Sequence, residues 1–333
     1  MTMAEADLAA LAGQLRNAAG LIAKRDISLA SARLASATPG NAQRLGVPLG
    51  DDCAAIADGD GYLLFAIEGF INEFVARDPW FAGWCGVMVN VSDIAAMGGR
   101  PIALVDALWA SGEENAEPIL AGLRAAAQHF GVPIVGGHTN LRTAQPQLSV
   151  AILGRANRLL TSFDAEPGDR LVAAIDLRGR YRPPFLNFEA ASGAPAARLR
   201  GDLALLPEIA EAGLAAAAKD ISQAGIVGTA VMLAECSSVG IDIDVAMIPK
   251  PADVPLAQWL MTFPSFGYLL SVPAGNVDAV LQRFAARDIA AAVIGDVAEG
   301  HDVSIRAGAA REIIWDFAAG PLIGAPTREL THA

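Results

Sequence analysis

Lysine is scarce in this chain: only Lys24, Lys219 and Lys250 occur, and the formal net charge is −12. The sequence has no basic stripe, which argues against nucleic acid or an anionic membrane surface as the main partner. An acidic chain can still bind a phosphate ligand where a divalent cation, backbone amides or local arginines supply positive charge. The charge pattern therefore disfavours polyanionic partners and leaves small phosphate ligands open.

Cysteine is also rare, and Cys53, Cys85 and Cys236 lie far apart with no Cys-x-x-Cys pair. This spacing predicts neither a disulfide framework nor a zinc site, and it fits a reducing cytoplasm. Apolar runs such as residues 102–110 are too short to span a bilayer. The N-terminus lacks a basic region followed by an apolar core, so no signal peptide is predicted. The sequence predicts a soluble cytoplasmic protein.

Hydrophobic residues make up 53% of the 333 positions and charged residues 18%, which is enough core for one large domain or two ordinary ones. Residues 4–37 are predicted to form helical segments broken at Gly13 and Gly20. After residue 50, strands and helices alternate in two series, which predicts an α/β (α+β) fold with two domains. The predicted division is a helical segment over residues 1–49, one domain over 50–154 and a second over 155–333.

The first series is predicted to contain strands at residues 62–67, 102–108, 132–135 and 148–153, with helices at 84–97 and 116–130. The second series is predicted to contain strands at residues 171–175, 241–245, 268–272 and 291–294, with helices at 203–212, 227–237 and 277–286. A turn signal at residues 166–169, Glu-Pro-Gly-Asp, separates the two series.

The segment at residues 84–97 is apolar on nearly every side, which predicts a buried helix. Asn90 and Asp93 interrupt it three residues apart and therefore share one helix face. A buried carboxylate destabilises the fold unless it is paired, hydrogen-bonded or bound to a cation. Asp93 either caps a neighbouring element or holds a ligand, and the segment alone leaves both interpretations open.

Residues 50–52, Gly-Asp-Asp, precede the first predicted strand. The adjacent carboxylates of Asp51 and Asp52 suit a hard divalent cation that prefers oxygen ligands and keeps several waters. An ordinary Asp-rich turn has the same composition, so a structural role stays open.

Residues 136–140, Gly-Gly-His-Thr-Asn, follow the strand predicted at 132–135. Gly136 and Gly137 would let the backbone approach a ligand, and ligands usually bind at such strand ends in α/β units. His138 could act as a general base, a phosphate contact or a metal ligand, or it could be a hydrogen-bonded loop histidine.

Residues 219–229, Lys-Asp-Ile-Ser-Gln-Ala-Gly-Ile-Val-Gly-Thr, are the counterpart in the second half. Gly225 and Gly228 open a predicted helix, and glycines at a helix N-terminus expose amides that favour anions. The spacing is not that of a Walker loop, and Asp220 alone could be a helix N-cap.

In this order, the motifs resemble those of the PurM-like superfamily, which includes aminoimidazole ribonucleotide (AIR) synthetase, selenophosphate synthetase and thiamine-monophosphate kinase. The resemblance covers residues 50–297, and the chain is identified as an AIR synthase-related member. Residues 90–101 and 50–52 are similar to the thiamine-phosphate-kinase forms. Residues 220–229 look like the synthetase form, and residues 264–270 resemble a late glycine-containing strand motif.

The resemblance implies two PurM-like domains, with the N-terminal half forming a sheet or barrel at the interface of a homodimer. It also implies that ATP lies in a cleft and that Mg²⁺ on aspartates holds its phosphates. The implied metal ligands are Asp51, Asp52, Asp93 and Glu68. The implied nucleotide contacts are Asn90, Gly136, Gly137, Thr139, Asp220 and Gly225, and His138 is the predicted base that deprotonates the acceptor.

Three residues depart from the pattern of the relatives. Glu68 stands where several relatives have aspartate, and His138 stands where they usually carry a carboxylate. Gln223 replaces the second aspartate of the thiamine-phosphate kinases. These departures argue against simple phosphorylation of thiamine phosphate.

The sequence predicts a Mg²⁺-dependent, ATP-using enzyme that phosphorylates or activates a small metabolite, with the phosphate either kept or displaced by a nitrogen nucleophile. One alternative is a non-catalytic nucleotide-binding dimer or partner subunit. The other is a small-molecule kinase close to thiamine-monophosphate kinase. Residues 178–200 carry five arginines that could bind an anionic substrate or form a solvated loop.

Overall fold

A computed structural model describes residues 5–35 and 47–325 of the chain. Residues 4, 36 and 37 of the predicted helical segment lie outside this part. Within it, no helix has both the length and the apolar character needed to cross a membrane. The helices are α1 (Glu5–Arg16), α2 (Ala19–Ala23), α3 (Arg25–Ala35), α4 (Asn72–Arg77), α5 (Pro79–Ala96), α6 (Glu113–Phe130), α7 (Ala196–Leu203), α8 (Leu205–Glu211), α9 (Gly225–Ser237), α10 (Leu256–Leu260) and α11 (Val277–Ala285).

The strands form three sheets. They are β1 (Ala54–Asp58), β2 (Gly61–Phe70), β3 (Arg100–Ser111), β4 (Ile134–Asn140), β5 (Arg142–Ala156), β6 (Arg170–Ile175), β7 (Arg180–Tyr181), β8 (Asn187–Glu189), β9 (Ala217–Asp220), β10 (Gly240–Asp244), β11 (Phe263–Pro264), β12 (Gly267–Val272), β13 (Ala290–Ala298), β14 (Asp302–Ala307) and β15 (Ala310–Asp316).

The chain divides into two compact units. Of the described residues, the N-unit comprises 53–159 and 191–211, and the C-unit comprises 5–35, 47–52, 160–190 and 212–325. The helices α7 and α8 belong to the N-unit, and the N-terminal helices α1, α2 and α3 belong to the C-unit. The predicted domain boundaries stay a prediction.

The N-unit is built on a five-stranded sheet of order β1-β2-β5-β3-β4, in which only β3 and β4 pair in parallel. The buried helix predicted from the sequence is confirmed as α5, which packs on this sheet and against α6. At the helix crossing, a Cβ at Gly83 would lie 2.1 Å from the Ile119 carbonyl oxygen. A Cβ at Gly122 would lie 1.9 Å from the Trp80 carbonyl oxygen. Glycines on both helices therefore allow this close backbone contact.

The C-unit is built on a seven-stranded sheet of order β15-β14-β10-β13-β6-β12-β9, with a small three-stranded sheet of order β11-β8-β7. α9 is buried over most of its length, and its Glu235 carboxylate accepts four backbone N–H groups, from Leu322, Ile323, Gly324 and Ala325. The last described segment of the chain is thereby bound to α9.

Most predicted elements are present, and three differ in an informative way. The helix predicted at residues 203–212 is present as α8, with Pro207 in its first turn, and the preceding helix α7 was not predicted. Gly13 and Gly20 lie inside α1 and α2 and do not break them. β4 starts later than the strand predicted at 132–135 and continues through the glycine motif.

Candidate functional site

α5 buries the two polar residues that interrupt its apolar sequence. Asn90 is fully buried and Asp93 is 5% exposed. The Asn90 side-chain amide donates hydrogen bonds to the Gly86 carbonyl at 2.8 Å and to the Val150 carbonyl at 3.0 Å, so it ties α5 to β5. Within residues 5–35 and 47–325, Asn90 Oδ1 has no hydrogen-bond partner. A cation or a ligand donor would satisfy such a buried amide oxygen.

A row of residues across the sheet faces α5. Glu68 on β2 and Asp106 on β3 both pair in register with Val150 on the intervening β5, and Asp106 also pairs with Gly137 on β4. Residues directly opposite one another share a face of the sheet. Val150 is buried against Gly86 of α5, which identifies this face. Glu68 and Asp106 therefore share the inner face of the sheet, about 10 Å apart across two strand spacings.

Asp106 is a functional candidate that the sequence reasoning missed. Burial raises the pKa of its carboxyl group, because a low-dielectric surrounding disfavours the charged form. Acids whose pKa is shifted by burial cluster at functional sites. The signal in the sequence is that Asp106 is the one charged residue in the apolar run 102–110.

The glycine motif lies inside β4 and not after the strand, as the sequence predicted. The reason is that parallel pairing with β3 continues as far as Asn140. A Cβ at Gly137 would lie 2.4 Å from the Asp106 carbonyl oxygen and 2.6 Å from its Oδ1, whereas a Cβ at Gly136 meets nothing within 4 Å. Gly137 thus leaves the space that the Asp106 carboxylate occupies.

His138 and Thr139 point to opposite faces of the sheet, because side chains alternate along a strand. Thr139 shares the inner face with Gly137, and His138 lies on the outer face. The His138 ring packs against Trp109, with ring centroids 5.8 Å apart. The predicted base therefore lies on the side of the sheet away from α5 and its two polar residues.

In the C-unit, protein donors surround the adjacent aspartates. Asp51 Oδ1 accepts hydrogen bonds from the Ser162 hydroxyl at 2.6 Å and from the Asp52 N–H at 2.9 Å, and its Oδ2 accepts the Ser162 N–H at 2.9 Å. Asp52 forms an ion pair with the Lys219 ammonium group and accepts the Asp220 N–H at 3.3 Å. Asp51, Asp52, Ser162 and Lys219 are called the lysine cluster below.

Burial controls protonation in the lysine cluster. It raises the pKa of Asp51 to about 6; the charge of Lys219 opposes this shift and that of Asp52 adds to it. Desolvation lowers the pKa of Lys219, but the Asp52 and Asp51 charges outweigh it, so the net shift is upward and the ammonium group stays protonated. Burial likewise raises the pKa of the neighbouring Cys236 thiol, which keeps it neutral and unreactive.

Asp220 ends β9 and is not a helix N-cap, since the residue that precedes α9 is Ala224. The side chains of Lys219 and Asp220 point to opposite faces of the sheet because they are neighbours on one strand. Gly225 begins α9 at φ 70°, and a Cβ there would lie 2.1 Å from the Leu260 carbonyl oxygen. The packing of the chain alone therefore explains why position 225 is a glycine. A contact between Gly225 and phosphate stays a prediction.

The predicted metal ligands divide between the units. Glu68 and Asp93 lie in the N-unit, and Asp51 and Asp52 lie in the C-unit. Among the residues that the structure describes, no three or more His, Cys, Asp or Glu side chains are grouped so as to hold a metal ion. Metal coordination by these four residues stays a prediction. The Asp51–Asp52 pair of the C-unit differs from Glu68 and Asp93 of the N-unit, because it already binds the ammonium group of Lys219.

Arg178 and Arg200, which are among the five arginines offered by the sequence as anion contacts, bind other parts of the protein. Arg178 forms an ion pair with Asp176 at 2.7 Å. Arg200 donates hydrogen bonds to the carbonyls of Gln128 and His129 at the end of α6, at 2.7 and 2.9 Å. The last carbonyls of a helix lack partners within it, so Arg200 caps α6. Both contacts favour a structural role.

Two family models match the sequence. The model of the N-terminal domain of AIR synthase related protein matches residues 50–156, and the model of its C-terminal domain matches residues 193–308. The chain belongs to the AIR synthase related family. The resemblance identified from the motifs is confirmed, as is the mixed α/β fold with two domains of this family. In this AIR synthase related chain the sheets are open and not closed barrels.

Relatives of this AIR synthase related chain occur in bacteria and archaea. It is 46% identical over 313 residues to an uncharacterised protein of Synechocystis sp., covering 93% of this chain and 96% of that protein. It is 33% identical over 275 residues to an uncharacterised protein of Methanocaldococcus jannaschii, covering 81% and 85%. It is 30% identical over 281 residues to thiamine-monophosphate kinase of Pyrococcus horikoshii, covering 78% and 85%.

Solved structures share the fold. Thermotoga maritima PurL complexed with ADP superimposes with a TM-score of 0.69 at 21% identity, over 89% of this chain and 50% of that one. A protein of Thermus thermophilus superimposes with a TM-score of 0.67 at 25% identity, over 84% and 96%. The fold of the AIR synthase related family is thus found in structures of low sequence identity.

Gly137→Ala is expected to destabilise the protein by about 1–3 kcal/mol, because the added methyl group overpacks the Asp106 carboxylate. Gly136→Ala is the matched control and should change the free energy of unfolding by less than about 0.5 kcal/mol, since its Cβ enters open space. Urea unfolding of both variants measures the difference. Equal destabilisation of the two variants would contradict the packing of Asp106 over Gly137.

Asp106→Asn is expected to raise the melting temperature at pH 7.5. Because the pKa of Asp106 is raised in the folded protein, ionisation of its carboxyl group lowers the free energy of unfolding. This loss of stability grows as the pH rises above 3.8, the ordinary pKa of an aspartate. The gain should vanish toward pH 4, where wild-type Asp106 becomes protonated. Thermal melts between pH 4 and 8 test this, with Asp253→Asn in an exposed loop as the control. A pH-independent difference would refute the assignment.

Proposed function

We propose that this chain is an ATP-dependent phosphotransfer enzyme that phosphorylates or activates a small metabolite. The observation that carries the proposal is the buried Asn90 Oδ1 of α5, which has no hydrogen-bond partner among the described residues, on a helix that packs over the sheet face of Glu68 and Asp106. Support comes from the family, since a thiamine-monophosphate kinase is 30% identical and a PurL of the same fold was solved with ADP.

The donors of the N-unit fit Mg²⁺ by their chemistry. Mg²⁺ prefers carboxylate and amide oxygens, and it usually takes only one or two carboxylates together with substrate phosphates and waters. We assign Asp93 and Glu68 as the residues that would hold it, with Asn90 in support. When bound, the ion would neutralise charge on the phosphates that are transferred.

The remaining residues of the inner face orient the reactants. Asp106 accepts the proton of the acceptor hydroxyl, because its raised pKa makes it a better base at neutral pH than an ordinary aspartate. In this proposal Asp106 takes the role first predicted for His138, which lies on the outer face. The Thr139 hydroxyl and one backbone amide of the Gly136–Gly137 pair contact phosphate, and positioning supplies most of the rate enhancement.

We further propose that two chains form a homodimer through the outer face of the five-stranded sheet. Apolar side chains on this face are unusually exposed: Phe65 is 50% exposed, Ile67 66% and Val105 41%. Contiguous exposed apolar patches on a soluble domain mark interaction surfaces. A second copy covering this face would bury them, as the resemblance implies.

Asp93→Asn is expected to abolish the Mg²⁺-dependent part of nucleotide binding, because a neutral amide is a much weaker ligand for a hard cation. Calorimetric titration with a non-hydrolysable ATP analogue, with and without Mg²⁺, measures it. Glu117→Gln on the exposed surface of α6 is the control and should bind as the wild type does. Undiminished Mg²⁺-dependent binding by the Asp93 variant would rule out this assignment.

Ile67→Lys is expected to convert the dimer to a monomer, because a charge buried at an apolar interface lacks a partner. Light scattering after size-exclusion chromatography reports the mass of the particle. Leu29→Lys, which adds the same charge at an exposed position of α3, should leave that mass unchanged. Retention of the dimer by the Ile67 variant would place the interface elsewhere.

A further inference from the structure

Every carboxylate oxygen in the lysine cluster accepts a hydrogen bond from the protein. Ser162 and the Asp52 N–H satisfy Asp51, while Lys219 and the Asp220 N–H satisfy Asp52. The Lys219 Nζ also lies 3.4 Å from the Ser162 hydroxyl oxygen, which in turn donates to Asp51. The ammonium group is thus connected to both carboxylates, directly to one and through a hydroxyl to the other.

The position of Lys219 is fixed by the sheet. All four residues of β9 are buried, and Lys219 pairs in register with Leu269 of β12. Lys219 itself is 4% exposed, and the side chain of its partner Asp52 is 7% exposed. A buried ammonium group that left its carboxylate would lose its charge compensation in a low-dielectric surrounding. The ion pair is therefore a fixed part of the C-unit.

Charge balance makes Lys219 and a divalent cation alternatives at this place. Two ionised aspartates carry a charge of −2, and the ammonium group reduces it to −1. A dication added beside the ammonium group would bring the total to +1 and place two cations close together. Like charges at short distance repel strongly where water is excluded. One cation fits this cluster, and it is already provided by the chain.

We propose that the Lys219 ammonium group is the resident cation of the Asp51–Asp52 pair, taking the place that the family resemblance gives to Mg²⁺ there, so that this pair binds no divalent cation in the native protein. Lys219 is then a residue that determines which aspartates of the chain are available to metal. The metal-binding aspartate of the proposed function is confined to the N-unit.

Mn²⁺ alone, without nucleotide, is the probe that tests this. Electron paramagnetic resonance of free Mn²⁺ gives the number of ions bound per chain for three proteins: the wild type, Lys219→Met, and the double variant Lys219→Met with Asp52→Asn. Methionine is unbranched and matches the lysine side chain as far as the ε carbon, so the substitution removes only the ammonium group and its charge. Because no nucleotide is present, the result does not depend on whether the proposed phosphotransfer function holds.

The wild type and the double variant are expected to give the same Mn²⁺ isotherm, and Lys219→Met is expected to bind one additional ion per chain. Weaker binding by the double variant than by the wild type would show that the native pair holds metal and would overturn the proposal. No additional ion in a folded Lys219→Met variant would overturn it as well.

Removal of Lys219 leaves a buried charge on Asp52, which opposes folding in metal-free buffer. If Lys219→Met does not fold there, recovery of native circular dichroism on addition of Mn²⁺, but not of an equal ionic strength of NaCl, supports the proposal. If it does not recover, the comparison of the wild type with the double variant, whose cluster keeps the same net charge of −1, decides the question by itself.

Discussion

Burial of α5 is the constraint on which the N-unit depends. The helix is apolar around its circumference, packs on the five-stranded sheet, and approaches α6 at paired glycines. Asn90 and Asp93 cannot reach bulk water from this position, so the protein or a ligand must satisfy them. Asn90 does so in part by binding the backbone of β5. Because α5 packs on the inner face of the sheet, Glu68 of β2 and Asp106 of β3 lie on the face that the helix covers. The contact between helix and sheet is therefore also the candidate site.

The two units solve the problem of buried acids in different ways. In the C-unit a lysine and a serine satisfy Asp51 and Asp52, so the cluster is complete without a ligand. In the N-unit, Asp106 is half-buried with a raised pKa and Asn90 presents a buried oxygen. A buried carboxylate with a raised pKa and a buried amide oxygen without a partner both lower the stability of the folded protein. Such groups are typical of functional sites. This difference is the reason why we assign the N-unit acids Asp93 and Glu68 to a metal ion, and the C-unit pair Asp51 and Asp52 to Lys219.

The sequence was sufficient to predict the buried helix, its two polar residues, the alternation of strands and helices, and the family. These features depend on local periodicity and on motifs read along the chain. It did not predict that β4 runs through Gly136 and Gly137, because the strand is extended by pairing with β3. Asp106 was missed because its register opposite Gly137 and Val150 is a tertiary property. Lys219 was missed as the partner of Asp52 because 167 positions of sequence separate them.

A crystal structure of the protein with Mn²⁺ and a non-hydrolysable ATP analogue tests the central claim most directly, since anomalous scattering identifies the metal. The account predicts a metal peak at Asp93, nucleotide phosphate beside it, and the Lys219 ammonium group still bound to Asp52. A metal peak between Asp51 and Asp52 with the lysine displaced would contradict it. So would nucleotide bound with no metal at Asp93.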